Sequence, residues 1–101
     1  MRYWRVLVES GDGRRFSTRA VEVSASRAVL RGEHALPAGM ACDLQVIVPP
    51  PNDQQPPAVA GLQAEVGEVV FAAGDILLDL RVRSLSDEAR RLIDMRGGNA
   101  G

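Results

Sequence analysis

The chain contains no lysine, one cysteine, one histidine, and only four aromatic residues among 101. Each scarcity removes a class of function. A single cysteine, Cys42, rules out an internal disulfide and any cysteine-rich zinc site. It lies in an apolar alternation, which predicts a buried and inert thiol. The lone His34 has no second imidazole with which to share a metal, and its Gly-Glu-His setting reads as a solvated loop. So few aromatics, with a net charge of −1, make a poor platform for nucleic acid. No apolar run approaches the length of a membrane span. Charge interrupts the start, Met1-Arg2-Tyr3-Trp4-Arg5, so no secretory leader is expected. A cytoplasmic protein with no membrane and no nucleic-acid partner follows as the expectation.

What remains is apolar residues in short alternating runs, with arginine as the only strongly basic side chain. At this length one domain, spanning 1–101, is expected. Residues 3–9 are β-branched and aromatic enough for a strand, and Ser10-Gly11-Asp12-Gly13 is a hairpin-turn signal. A second strand is predicted over Arg14–Ser24, with Val21 and Val23 on one face and Phe16, Thr18 and Ala20 on the other. Ala25-Ser26 turns the chain into a short strand, Arg27–Arg31, and residues 32–39 read as a loop. Over Met40–Val48, Cys42, Leu44, Val46 and Val48 share a face. The proline-rich stretch 49–57 cannot pair in a sheet and is read as an internal loop.

A long strand is predicted over Val59–Phe71, with Gly61 and Gly67 as candidate bulges. A turn at 72–75 leads to Ile76–Val82, where Ile76, Leu78, Leu80 and Val82 oppose Asp79 and Arg81. The end of the chain changes period. Ser84-Leu85-Ser86-Asp87-Glu88 has capping residues followed by acids, and Leu85, Ala89, Leu92 and Ile93 form an apolar face at helical spacing. Gly97-Gly98 would stop that helix, leaving 97–101 as a tail. Short strands with one apolar face each need closure or a cover to protect their edges. The predicted fold is therefore mainly β: a six-stranded antiparallel barrel with a C-terminal α-helix.

Catalysis needs a constellation, and none is present. There is no nucleophile elbow, phosphate-binding glycine loop, HExxH or Cys–His pairing. Glu65 and Glu68 could face each other across a strand bend, but a solvated edge explains them as well as a glycosidase pair would. A non-enzymatic binding protein without catalytic or metal-ligating residues is expected; an unrelated small barrel, or a subunit completing an enzyme with a partner, is the rival of another class.

The informative stretch is Glu22-Val23-Ser24-Ala25-Ser26-Arg27-Ala28-Val29-Leu30. It resembles the Asp-x-Ser-x-x-Gly signature of PilZ domains and the small and apolar strand start that follows it. Arg2 and Arg5 stand about where the family carries Arg-x-x-x-Arg. Leu36-Pro37-Ala38-Gly39 leading into the strand that ends at Pro49, and Leu80–Ser86 followed by a helix, are similar to the family's order of elements over almost the whole chain. The resemblance implies a six-stranded barrel, a role in bacterial cyclic di-GMP signalling (motility, biofilm, virulence), and a nucleotide site at Arg2, Arg5, Glu22, Ser24 and Arg27. In such a site arginines fork onto guanine or phosphate, a carboxylate accepts from guanine N–H groups, and glycine lets the turn take positive φ beside the ligand.

The sequence departs from that pattern at three places. Glu22 replaces Asp, Arg27 replaces Gly, and Arg2 and Arg5 are one residue too close. Arg15 and Arg19 do have the family spacing but lie inside the motif strand. At a position that demands positive φ, Arg27 would be strained and its bulk could fill the purine's place. The expected function is thus a protein-interaction adaptor for a motility, pilus or virulence regulator, with weak or absent nucleotide binding. The candidate docking surfaces are an exposed strand edge, the strand around Arg14, Arg15 and Arg19, or the helix face near Arg90 and Arg91. The alternative is a working cyclic di-GMP receptor with a modified motif. Self-association into a homo-oligomer is compatible with either.

Overall fold

The structure, a computed structural model, describes residues 4–50 and 54–95. Six strands, β1 (Trp4–Ser10), β2 (Arg15–Val23), β3 (Arg27–Gly32), β4 (Ala41–Val48), β5 (Ala58–Ala72) and β6 (Asp75–Leu85), precede one helix, α1 (Asp87–Met95). All pairings are antiparallel, and the sheet closes in the order β1-β2-β3-β6-β5-β4, with β4 returning to β1. The expected six-stranded barrel with a C-terminal helix is what the chain forms.

Alternation builds the core. Trp4, Val6 and Val8 on β1 point inward with Cys42, Leu44, Val46 and Val48 on β4 and Ala60, Leu62, Ala64 and Val66 on β5. The intervening residues of these strands face out, as a pleated period of two requires. Burial raises the Cys42 thiol above its ordinary pKa, with the neighbouring Asp43 charge adding to the effect.

Three bulges adjust this pattern. On β2 the register slips between Ala20, opposite Leu30, and Glu22, opposite Val29. Val21 is the extra residue, so Ala20 and Val23 both reach the core. This corrects the expectation that they occupy opposite faces: one inserted residue inverts the phase of everything after it. On β5 a second bulge falls at Gly67, where an added Cβ would lie 3.3 Å from the Asp79 carbonyl oxygen. Gly61, by contrast, pairs in register with Gln45 and marks no bulge. A third slip at Arg83 carries β6 to Leu85, beyond the expected end at Val82.

The turns follow their residues. Ser10 is buried, and its hydroxyl hydrogen-bonds the Asp12 carboxylate while accepting from the Arg14 N–H at 3.1 Å. That hydroxyl is the main reason the Asp12 carboxyl is held below its usual range, with Arg14 reinforcing it. Between β5 and β6 the two turn residues are Ala73 (φ 50°) and Gly74 (φ 83°), the left-handed pair of a tight hairpin.

Both ends of the barrel are covered. From the end where β6 finishes, α1 packs against β5 and buries Ala89 and Ile93 in the common core, with Leu85 and Leu92 partly buried beside them. Ser86 caps it, accepting from the Ala89 N–H at 3.1 Å. At the other end the 33–40 loop inserts Leu36, which is buried, and Gly39 donates to the Val66 carbonyl at 2.7 Å. The expected helix stop at Gly97-Gly98 and the tail lie outside the described residues, as do residues 51–53 of the proline-rich connection. No helix of the described residues is long and apolar enough to cross a membrane.

Candidate functional site

The motif segment forms the β2–β3 hairpin at the barrel rim. Ser24 organises it: its N–H donates to the Arg27 carbonyl at 2.8 Å, and its hydroxyl accepts from the Arg27 N–H at 3.1 Å and the Ser26 N–H at 3.3 Å. These bonds satisfy a turn locally and occupy the hydroxyl on which a ligand contact was expected. Arg27 opens β3 directly, opposite Arg81 of β6.

Among the described residues Ala73 is the only non-glycine with positive φ. The expectation of a strained, left-handed Arg27 is therefore corrected. The chain enters β3 through ordinary strand geometry, so a glycine is not needed there and a long side chain costs no backbone strain.

The Arg27 guanidinium is fully oriented by acids from both neighbouring strands. Its Nε and Nη2 donate to the two Asp79 carboxylate oxygens at 2.9 and 2.7 Å, a fork-to-fork pair, and its Nη1 lies 3.4 Å from Glu22 Oε2. These hydrogen bonds, then the Arg27 charge, hold the Asp79 carboxyl below its usual range. The same pair raises Arg27 further above its own range. Bidentate geometry makes this the most specific ion pair on the barrel wall. Glu22, the carboxylate at the motif's Asp position, makes the single longer contact to the cation at its Gly position, so each neutralises part of the other.

Arg5 lies on the same wall but not at the hairpin. It pairs in register with Arg19, and its Nε donates to the Ser17 hydroxyl at 3.1 Å. From Arg19 to Glu22 along β2 is about 10 Å at strand rise. Arg5 thus stands one strand over and roughly three residues along from the rim cluster. Arg2, and Tyr3 beside it, lie outside the described residues. Trp4 is buried in the core and does not present its ring for stacking. Glu22, Ser24 and Arg27 are brought together; Arg5 is not brought into contact with them.

Sequence reasoning missed Asp79. Alternation places it on the outward face of β6, but only the β3–β6 register sets it beside Arg27. Arg15 is held by Glu9 at 2.6 Å and Arg14 by Asp12 at 2.9 Å. Glu65 pairs with Arg83 at 3.2 Å, and the Gly67 bulge separates it from Glu68, whose charge acts on Arg27. His34 is exposed, as expected of a loop residue, and its ring leans on Phe16 at a centroid distance of 4.2 Å. Among the described residues no group of three or more His, Cys, Asp or Glu side chains could hold a metal ion.

The fold and this rim define a closed antiparallel barrel with an outward-facing, charge-paired hairpin. No family model, curated protein or solved structure matches the chain.

Proposed function

We propose that the chain is a non-catalytic, divergent PilZ-type domain of bacterial cyclic di-GMP signalling that works mainly as a protein-interaction adaptor, with weak or absent nucleotide binding. One observation carries the reading. Arg27, at the position where the resemblance calls for glycine, is forked onto Asp79 and leans on Glu22. A guanine docking there would have to displace that side chain and break a bidentate pair, while the Glu22 carboxylate already faces a cation.

Docking surfaces narrow at the same time. Every strand of the closed barrel has two neighbours, so an exposed strand edge, one of the surfaces expected from sequence, is not available within the ring. Recognition falls to outward side chains of the wall and to the helix face at Arg90 and Arg91, both exposed.

Calorimetric titration with cyclic di-GMP tests the reading. The adaptor is expected to bind more weakly than about 0.1 mM, which is roughly −5.5 kcal/mol or less. Micromolar affinity that disappears on Arg5→Ala would make the chain a receptor with a modified motif and end the adaptor reading.

A further inference from the structure

Strand β5 outruns one of its neighbours. It pairs with β4 only from Ala58 to Glu65, the latter opposite Ala41, yet stays paired with β6 as far as Ala72, opposite Asp75. Val66 is the last residue bonded on the β4 side. Its N–H donates to the Met40 carbonyl at 2.9 Å, and its carbonyl accepts from the Gly39 N–H at 2.7 Å. From Gly67 to Ala72, β6 is the one strand among the described residues that pairs with β5.

Parity shows which backbone groups this leaves open. Along an antiparallel strand, successive residues turn their N–H and C=O alternately to one neighbour and to the other. Val66, opposite Leu80, turns its groups away from β6. The bulge at Gly67 takes up one residue, so Val69, opposite Leu78, and Phe71, opposite Ile76, turn theirs the same way. Val69 is partly buried against the core, and Phe71, two residues on and on the same face, is 71% exposed. Val70, on the other face, is 39% exposed. A groove of about 630 Å³ separates this edge from the 33–40 loop, with Ala35, Pro37 and Ala38 along its far side. Open edges template further strands, and folds guard them with lysine, proline or charge. The chain has no lysine, and Gly67–Ala72 holds no proline and a single ionised residue, Glu68.

We propose that this edge is a self-association site, at which β5 of a second copy pairs antiparallel with it about a two-fold axis at Val70. The open groups set the register. Phe71 opposite the partner's Val69 lets both residues exchange N–H and C=O bonds, and symmetry repeats the pair on the other side of the axis. Val70 then lies opposite the partner's Val70, an apolar pair on the outer face. On the inner face each phenyl ring enters the other copy's groove, beside Pro37 and Val69. Charge agrees with this register, because Glu68 falls opposite the partner's Ala72 and no like charges meet. A net charge of −1 also leaves little repulsion between copies. Any strand could use the open backbone groups, but a copy of this segment brings ring and groove together at matching positions. The six edge residues and four loop residues amount to less than half of the roughly 20–30 a side in a standard interface, so the dimer is weak, with a Kd on the order of 0.1 mM. It goes beyond the adaptor role and does not depend on it.

Sedimentation equilibrium of the full chain from about 10 μM to about 1 mM tests the proposal. The average mass is expected to climb from monomer toward dimer. Val70→Arg sets two guanidiniums face to face across the axis and is expected to weaken association at least tenfold, as is Phe71→Ser. Val59→Ser, at a site 56% exposed on the barrel wall, is expected to leave association unchanged. Register has its own readout: residues directly opposite in a non-hydrogen-bonded pair have Cα atoms about 4.5 Å apart, within disulfide reach. Mild oxidation is therefore expected to link Val70→Cys into a covalent dimer and to leave Val59→Cys monomeric, the native Cys42 being buried. A monomeric mass across the whole range, or association unmoved by both Val70→Arg and Phe71→Ser, overturns the site. Cross-linking of Val59→Cys as readily as Val70→Cys overturns the register.

Discussion

Ile93 is fully buried on α1, where the helix covers one end of the barrel. Replacing it with alanine removes about three methylene equivalents from the core, worth roughly 2.4 kcal/mol of transfer free energy. Strands hydrogen-bonded on both sides cannot collapse far toward the vacated space, so a residual cavity adds to the loss. The expected destabilisation is about 3 kcal/mol, inside the range for such truncations. Against a total of roughly 5–15 kcal/mol for a domain of this size, that is a large fraction and corresponds to a fall of about 12–24 °C in Tm. Urea unfolding followed by circular dichroism measures it through the midpoint, with the slope serving as a check that the unfolding remains cooperative. Met95, 75% exposed on the same helix, provides the comparison: Met95→Ala is expected to change stability by less than about 0.5 kcal/mol. If Ile93→Ala cost under about 1 kcal/mol, or no more than Met95→Ala, α1 would be an appendage and not the stopper of the barrel.

Two further outcomes follow from local geometry. Ala73 holds φ at 50° in the β5–β6 turn, a conformation that asparagine tolerates better; Ala73→Asn is expected to stabilise the chain by about 0.5–1 kcal/mol in the same urea assay, and a loss of stability would contradict the turn assignment. Asp79 and Asp12 both have carboxyl groups held below their usual range, by Arg27 and by Ser10 respectively. A depressed folded-state value means that the unfolded chain takes up protons first as pH falls, so their contribution is present above the ordinary aspartate value of about 3.9 and lost as pH drops through the lower folded values. Asp79→Asn is therefore expected to lower stability at pH 7 and flatten the acid limb below about pH 4. Parallel limbs for variant and parent would show that the Arg27–Asp79 fork adds nothing to folding.

The fold was readable because one-sided strands report their own period. Cys42, Leu44, Val46 and Val48 alternate without interruption, and all four are buried. The helix was equally plain, since Ala89 and Ile93 stand four residues apart behind a serine cap and two acids. Bulges were harder. Val21 is apolar whichever way it faces, so nothing local distinguishes an inserted residue from a continued alternation. Gly61 and Gly67 look alike in sequence, and only the pairing with the neighbouring strand, in register at one and slipped at the other, tells them apart. The site was less readable still. Glu22, Ser24 and Arg27 fall together because a hairpin keeps them so, whereas Asp79 reaches Arg27 from far along the chain.

Closure has a consequence for how such a chain can recognise anything. The interior is occupied by apolar side chains from every strand and sealed by α1 and Leu36. Backbone pairing is used up around the ring, so adding a strand there from a partner would require opening the barrel. What the ring has left to read a partner is the outward set of side chains, and every strongly basic member of that set is arginine. Guanidinium forks are planar and directional, unlike the point charge of lysine, so their arrangement against acids or against one another is a pattern and not a diffuse field. With a net charge of only −1 on the whole chain, long-range steering contributes little. Selectivity must then come from how individual guanidiniums are held on the wall, as Arg27 is by its fork onto Asp79 at the rim and Arg5 by its bond to the Ser17 hydroxyl farther along.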